Sequence, residues 1–381
     1  MTHRERILST LAHSAPDRVP VDLGSTFSTS INAQAYTSLR AWLGLPQEPT
    51  PAFLLSRAAT VIPGEDIVSR FSLDARPLVI GAPDRDPGGY LSDDTYMDEW
   101  GVTWTKPAGG HFINSDGPFC RLESPTLKDL EAFVWPDPDD PGRYRGLRER
   151  AKFLHETTDQ AVVLNLWVGL VHLAQFVRGF APWLEDLLTN PVFAEGLMDY
   201  IMDFWVRGAE RALAEAGEFV DVVAIVEDLG TQQGPLLRPE VYRRMIKPRH
   251  RIMMAAIKGH GKRLFLHSCG SVTSFIPDFI EMGVDALNPV QVSAAHMDTK
   301  KLKREFGRDL SFWGAVDTGR VLPHGTPAEV REEVKRRIDD LAADGGYVLA
   351  AVHNIQADVP PQNVAAMYDA ALEYRAAAGV L

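Results

Sequence analysis

The chain of 381 residues is 45% hydrophobic and 24% charged and carries only two cysteines, a composition that excludes a disulfide-stapled framework and describes an ordinary globular protein. Its 39 Lys and Arg against 51 Asp and Glu give a formal charge of −12, and no basic run is long enough to neutralise a phosphate backbone, so nucleic acid is not an expected partner. No window approaches the roughly 20 apolar residues that span a bilayer, and Met1 to Ile7 lack the apolar stretch of a secretory signal. A cytoplasmic protein without membrane contact is the expectation.

Two short apolar runs, at 18–22 and 76–80, read as strands near the start of the chain. The segment 82–138 then breaks the pattern. It is rich in Gly, Asp, Pro and Tyr, alternates at Trp100-Gly-Val-Thr-Trp104, and reads as a β-ribbon insertion that covers a site or builds a subunit contact, a homodimer among the possibilities. From about residue 160 the chain alternates apolar runs at 161–167, 220–226, 263–266, 285–290, 310–316 and 347–352 with amphipathic stretches such as 239–258, 277–282 and 327–343. Thr326 followed by Pro327 is a helix start, with the cap and the first-turn proline in their favoured places. The strand count reaches eight, and eight βα units predict a single (β/α)8 barrel, one domain over 1–381. A doubly wound dinucleotide fold fits less well, because no Gly-rich turn follows the first strand.

A barrel places its chemistry where strands finish. Those ends read Asn165 and Trp167, Glu227-Asp228, His267-Ser-Cys269, Asn288 with Gln291, Asp317, and His353-Asn354. In extended chain, side chains two apart share a side, so His267 and Cys269 can reach one ion, and nitrogen with sulfur selects zinc. A catalytic zinc takes three protein ligands, and the third must come from another strand: His353 first, Glu227 second. The bland reading of the pair is a buried Cys269 packing as a small hydrophobe beside a hydrogen-bonded histidine. Bland readings exist for the others too: loop caps for Glu227 and Asp228, a turn at Asn288-Pro289, a cap at Asp317, barrel filling for Trp167 and Trp313, and packing for Cys120.

Taken together, Glu227-Asp-Leu-Gly-Thr-Gln-Gln-Gly-Pro-Leu, His267-Ser-Cys-Gly-Ser-Val, Leu287-Asn-Pro-Val-Gln, Phe312-Trp-Gly-Ala-Val-Asp317 and His353-Asn-Ile-Gln-Ala-Asp-Val-Pro-Pro resemble the uroporphyrinogen decarboxylase superfamily. The branch most resembled is that of the zinc-dependent, corrinoid-linked methyltransferases. The resemblance implies a (β/α)8 barrel, zinc held by His267, Cys269 and a downstream residue, and a corrinoid supplied by a partner protein. The branch has a second cysteine downstream, whereas here His353 stands in that neighbourhood, so the implied set becomes His/Cys/His, or the metal has been lost. Glu227 and Asp228 are then the acid/base or additional ligand candidates, and Asn165, Trp167, Asn288 and Gln291 the substrate-binding ones, for a methyl ether, methylamine or thiol. The alternative implied by the family name is a metal-free carboxy-lyase acting on a tetrapyrrole or smaller carboxylate. It is disfavoured, because the decarboxylases' Arg-rich motif is not visible and Gly81 stands where their second-strand aspartate is expected.

Overall fold

The structure is a computed structural model and describes residues 1–48, 51–55 and 58–374. Three short antiparallel strands, β1 (Ile31–Asn32), β2 (Phe53–Leu55) and β3 (Thr60–Val61), precede β4 (Ala75–Val79). The insertion follows as a four-stranded antiparallel sheet, β5 (Gly89–Ser92), β6 (Thr95–Met97), β7 (Thr103–Thr105) and β8 (Ile113–Asp116). The repeat then gives β9 (Ala161–Val168), β10 (Val222–Val226), β11 (Arg263–His267), β12 (Ala286–Asn288), β13 (Ser311–Val316) and β14 (Tyr347–Ala351). β4 and β9–β14 form one curled, parallel, seven-stranded sheet in which each strand pairs with its neighbours in sequence, the order expected of a TIM-barrel-like α/β fold.

The run read as a strand at 18–22 is not a full strand, which corrects the count of eight. It makes a single bridge, Val21 to Leu349. Residues 20–22 nevertheless occupy the gap between β14 and β4: Leu349 donates to the Pro20 carbonyl and receives from the Asp22 amide, both at 2.9 Å, while the Asp74 amide donates to the Val21 carbonyl at 3.0 Å. Two local features prevent a longer ladder. Pro20 has no amide to donate, and the Val21 amide is taken by the Asp74 carboxylate at 2.7 Å. That carboxylate also receives hydrogen bonds from Arg6, Arg18 and His3, so a buried ion cluster closes the cylinder where backbone pairing runs short.

Alternation along the strands separates two cores. Val163, Ala224, Phe265, Ala286, Trp313 and Val348 pack together in the lumen, with Ile7 and Leu11 of the N-terminal helix His3–Leu11 plugging it from the strand-start end. The intervening residues, such as Val162, Val223, Leu264 and Phe312, face the surrounding helices. Trp313 is therefore barrel filling, edge-on to Phe265 at 5.1 Å. The helix expected at 327–343 runs Pro327–Leu341 behind a Thr326 and Glu329 capping box. Between Tyr242 and Ile246 the expected helix at 239–258 widens into a π-turn before continuing as Lys247–Gly259. Among the described residues no helix is long and apolar enough to cross a membrane.

The ribbon folds onto the strand-end face. Trp100 packs edge-on against Phe204 of the helix Pro191–Ala216 at 4.8 Å, and Trp104 against Phe176 of the helix Leu170–Arg178 at the same distance. The plugged end and the roofed end are thus different ends of the cylinder, and a cavity lies at the roofed one.

Candidate metal centre

His267 ends β11, and the chain turns immediately, so that Cys269 comes back over the same strand end. The turn is fixed by backbone pairing on both sides: the Glu227 amide donates to the His267 carbonyl at 2.7 Å, and the Ser268 amide to the Asn288 carbonyl at 2.6 Å. Gly270 has a left-handed φ of +84°, and a Cβ there would meet the Gly230 backbone at 2.4 Å, so the tight passage needs glycine. Its amide donates to Gln291 Oε1 at 2.7 Å.

The Cys269 sulfur lies 3.3 Å from His267 Nε2. His353, just beyond β14, places its ring 5.2 Å from that of His267, and the donor atoms of His267, Cys269 and His353 all lie within 4.8 Å of one another. Among the described residues these three make the one such group of His, Cys, Asp or Glu. His267 Nδ1 donates to Asn288 Oδ1 at 2.6 Å, and Asn288 in turn donates to the Trp313 carbonyl at 3.0 Å. With its proton engaged on that side, His267 presents an unprotonated Nε2 to the cluster, the arrangement by which an outer hydrogen bond fixes a ligating imidazole.

The electrostatics suit a cation. Burial, reinforced by the neighbouring His267, lowers the His353 pKa to about 4, and burial likewise lowers that of His267. Both rings are therefore neutral near pH 7, the form that ligates. Burial and the adjacent Asp228 charge push the Cys269 thiol up, an effect that a divalent ion between the three side chains would reverse. Asp228 supplies a fixed negative charge beside them. Burial alone would raise its pKa, but the His172 hydrogen bond and charge, the His267 ring and the Cys269 amide together hold it well below the usual carboxylate range. Its Oδ1 accepts from the Cys269 amide at 2.7 Å and lies 3.7 Å from His267 Nε2, and its Oδ2 is 3.4 Å from His172 Nε2. Two nitrogens and a sulfur within 4.8 Å of one another, with an anion alongside, are a donor set that fits zinc.

The remaining candidates divide by what they touch. Glu227 is fully buried and its oxygens are committed: Oε2 accepts from the Val171 amide at 2.9 Å, in the first turn of the helix Leu170–Arg178, and Oε1 pairs with His250 at 3.1 Å. That is a carboxylate at a helix N-terminus, behind the strand rather than in the three-residue group. Asn288 and Gln291 hold the His267–Gly270 turn. Asn165 accepts from the Phe27 amide at 3.0 Å and donates to the Ser25 carbonyl at 2.9 Å, pinning the loop that follows residue 22. It lines a cavity of about 600 Å³ that reaches His353, as do Trp167 and Asn354. Asp317 caps its own turn, accepting from the amides of Gly319 and Arg320. Cys120 lies near the carbonyls of Phe176 and Val177 and is not one of the three clustered donors. His172 was not singled out from the sequence. It sits within a helix, carries no motif, and is recognised only because the fold sets it on Asp228.

Asn288→Ala is expected to weaken zinc affinity by about 10- to 100-fold while leaving its stoichiometry attainable at high metal, because it removes the group that orients a ligand and not a ligand. Competitive titration against a chromophoric chelator measures this.

A family model for uroporphyrinogen decarboxylase matches residues 109–374, and the chain belongs to that family. The similar proteins include methyltransferases and, over a short stretch, a uroporphyrinogen decarboxylase of Pseudoalteromonas translucida, 32% identical over 74 residues, 19% of this chain. The chain is 27% identical over 237 residues, 62% of its length, to a methylcobamide:CoM methyltransferase of Methanosarcina mazei, and 26% identical over 235 residues to its namesake from Methanosarcina acetivorans. Those matches span 66% and 65% of the relatives' own lengths, just under two thirds. A methylated-thiol–coenzyme M methyltransferase of Methanosarcina mazei is 22% identical over 274 residues, covering 71% of this chain and 67% of that one. The fold is shared with a solved methyltransferase from Methanosarcina mazei, with a TM-score of 0.68 at 21% identity, over 98% of this chain and 99% of that one.

Proposed function

We propose that this chain is a zinc-dependent methyltransferase that moves a methyl group between a small molecule and a corrinoid carried by a partner protein. The observation that carries the reading is the convergence of His267, Cys269 and His353 donor atoms within 4.8 Å at the open end of the barrel. The methyltransferase relatives support it. Zinc, when bound, would supply a Lewis acid at the inner end of the cavity. His267, Cys269 and His353 would hold it. Asn288 keeps His267 in the ligating tautomer. Asp228, held ionised, balances the positive charge and keeps the Cys269 amide in place. His172, on the cavity wall against Asp228, is placed to hold or release a proton as the heteroatom that carries or receives the methyl group changes charge. Glu227 serves the scaffold: it ties the helix bearing His172 to the strand end bearing Asp228.

Prolonged chelation of the purified protein is expected to remove close to one equivalent of zinc per chain and to abolish methyl exchange with a methylated or reduced corrinoid, and added zinc is expected to restore it. Full exchange by a protein shown by elemental analysis to be metal-free would overturn the proposal.

A further inference from the structure

The helical stretch that follows β10 is interrupted by its own sequence. Pro248 has no amide to give the Arg244 carbonyl, and in a regular helix its ring would collide with that carbonyl. The turn before it, Tyr242–Ile246, is a π-turn, which relieves the clash by taking in one residue more than an α-turn. The extra residue changes what faces what. Residues eight apart stand about 80° from each other around a straight α-helix, yet here Tyr242 and His250 share a face, with the tyrosine hydroxyl 3.2 Å from His250 Nδ1.

Both side chains are fully buried, and so is that of Glu227. A carboxylate accepts, so His250 Nε2 carries its proton toward Glu227 Oε1 at 3.1 Å, and the bare Nδ1 accepts from Tyr242. Burial, with the Asp278 and Glu227 charges behind it, raises the Tyr242 pKa and keeps the hydroxyl protonated. The donors therefore run one way, from Tyr242 to His250 to Glu227, while Glu227 Oε2 receives the Val171 amide from the other side at 2.9 Å. There is no slack at that end, because a Cβ on Gly169 would collide with the Glu227 carboxylate. His172 is the residue after Val171, and its Nε2 lies 3.4 Å from Asp228 Oδ2.

Resting on the reading of His172 as the group that holds and releases a proton, we propose that Tyr242 and His250 are positioning residues: acting through Glu227, they fix the first turn of the helix Leu170–Arg178 and so set the His172 ring against Asp228. Neither is among the residues that line the cavity or among the three clustered donors.

The test reads His172 directly. Burial opposes a charge on its ring, but the Asp228 hydrogen bond and charge outweigh burial and the pKa is raised. Carbon-13 NMR of the zinc-loaded chain with labelled histidine, the His172 signal assigned by its absence in His172→Gln, is expected to show a lower His172 titration midpoint in Tyr242→Phe and in His250→Leu than in the wild type, as the ring drifts from Asp228. Both variants are expected to keep one zinc per chain and the wild-type KM while kcat for methyl exchange falls about tenfold. Tyr374→Phe, which loses a surface hydroxyl bonded to Asp339, is the unchanged control. His250→Gln, whose amide can still donate to Glu227, is expected to fall between wild type and His250→Leu, and replaces the latter if circular dichroism shows it to be misfolded. A His172 midpoint equal to that of the wild type, zinc lost from either variant, or an undiminished kcat would overturn the assignment. If the midpoint shifts as expected but the wild type shows no methyl exchange, or exchange that chelation leaves untouched, the function proposed above fails and the placement of His172 by these residues stands.

Discussion

Cys269→Ala is expected to purify without stoichiometric zinc and to lose methyl exchange by on the order of 10³-fold, the scale on which a Lewis acid lowers a barrier by several kcal/mol. His353→Ala is expected to behave alike, because each removes one of three donors and two donors do not close a zinc site. The comparison that gives this meaning is Glu227→Gln. Its carboxylate faces Val171 and His250, so the amide variant is expected to keep its zinc and to lose stability instead. Zinc retained in His353→Ala together with zinc lost in Glu227→Gln would show that the third ligand had been misassigned. Inductively coupled plasma mass spectrometry of the three variants decides it, with thermal unfolding as the check on folding.

Asp74→Ala is expected to cost about 3–5 kcal/mol, the penalty for removing one member of a buried ion cluster and leaving its partners uncompensated. The carboxylate is fully buried and accepts from Arg6, Arg18, His3 and the Val21 amide at 2.6–2.7 Å. Without it the gap between β14 and β4 loses its main tie. Burial alone would raise the Asp74 pKa, but His3, Arg18 and the Val21 amide outweigh it and the pKa is lowered. A depressed carboxylate contributes stability that is present above its unfolded value, near 3.9, and disappears as the pH falls through the lower folded one. Wild type and Asp74→Ala should therefore differ most near neutrality and converge in strong acid. Urea unfolding at several pH values measures the difference. A gap below about 1 kcal/mol at pH 7 would mean that the cylinder closes by packing alone.

Much of the architecture was legible because buried parallel strands leave continuous apolar runs and their ends leave polar residues. The runs near 161, 222, 263, 286, 311 and 347 all became barrel strands. The run at 18–22 became a single bridge, since proline and a competing side-chain acceptor are tertiary facts that an apolar pattern does not contain. The i, i+2 spacing of His267 and Cys269 was readable, and His353 followed from the closure of the cylinder. The roles of Glu227, Asn288 and Gln291 were not readable. A polar residue at a strand end can point into the site or into the turn beside it, and one rotation about a strand decides which. His172 depended on how a helix lies over the barrel, for which the sequence carries no periodic signal.

The roof and the floor of the cavity come from separate stretches of chain. The ribbon occupies 89–116, before β9, whereas His267, Cys269 and His353 all lie beyond β10. A lineage could therefore redraw what it accepts by altering a hairpin at the lid and leave its reactive chemistry untouched, the way a lathe keeps its motor while the chuck is exchanged.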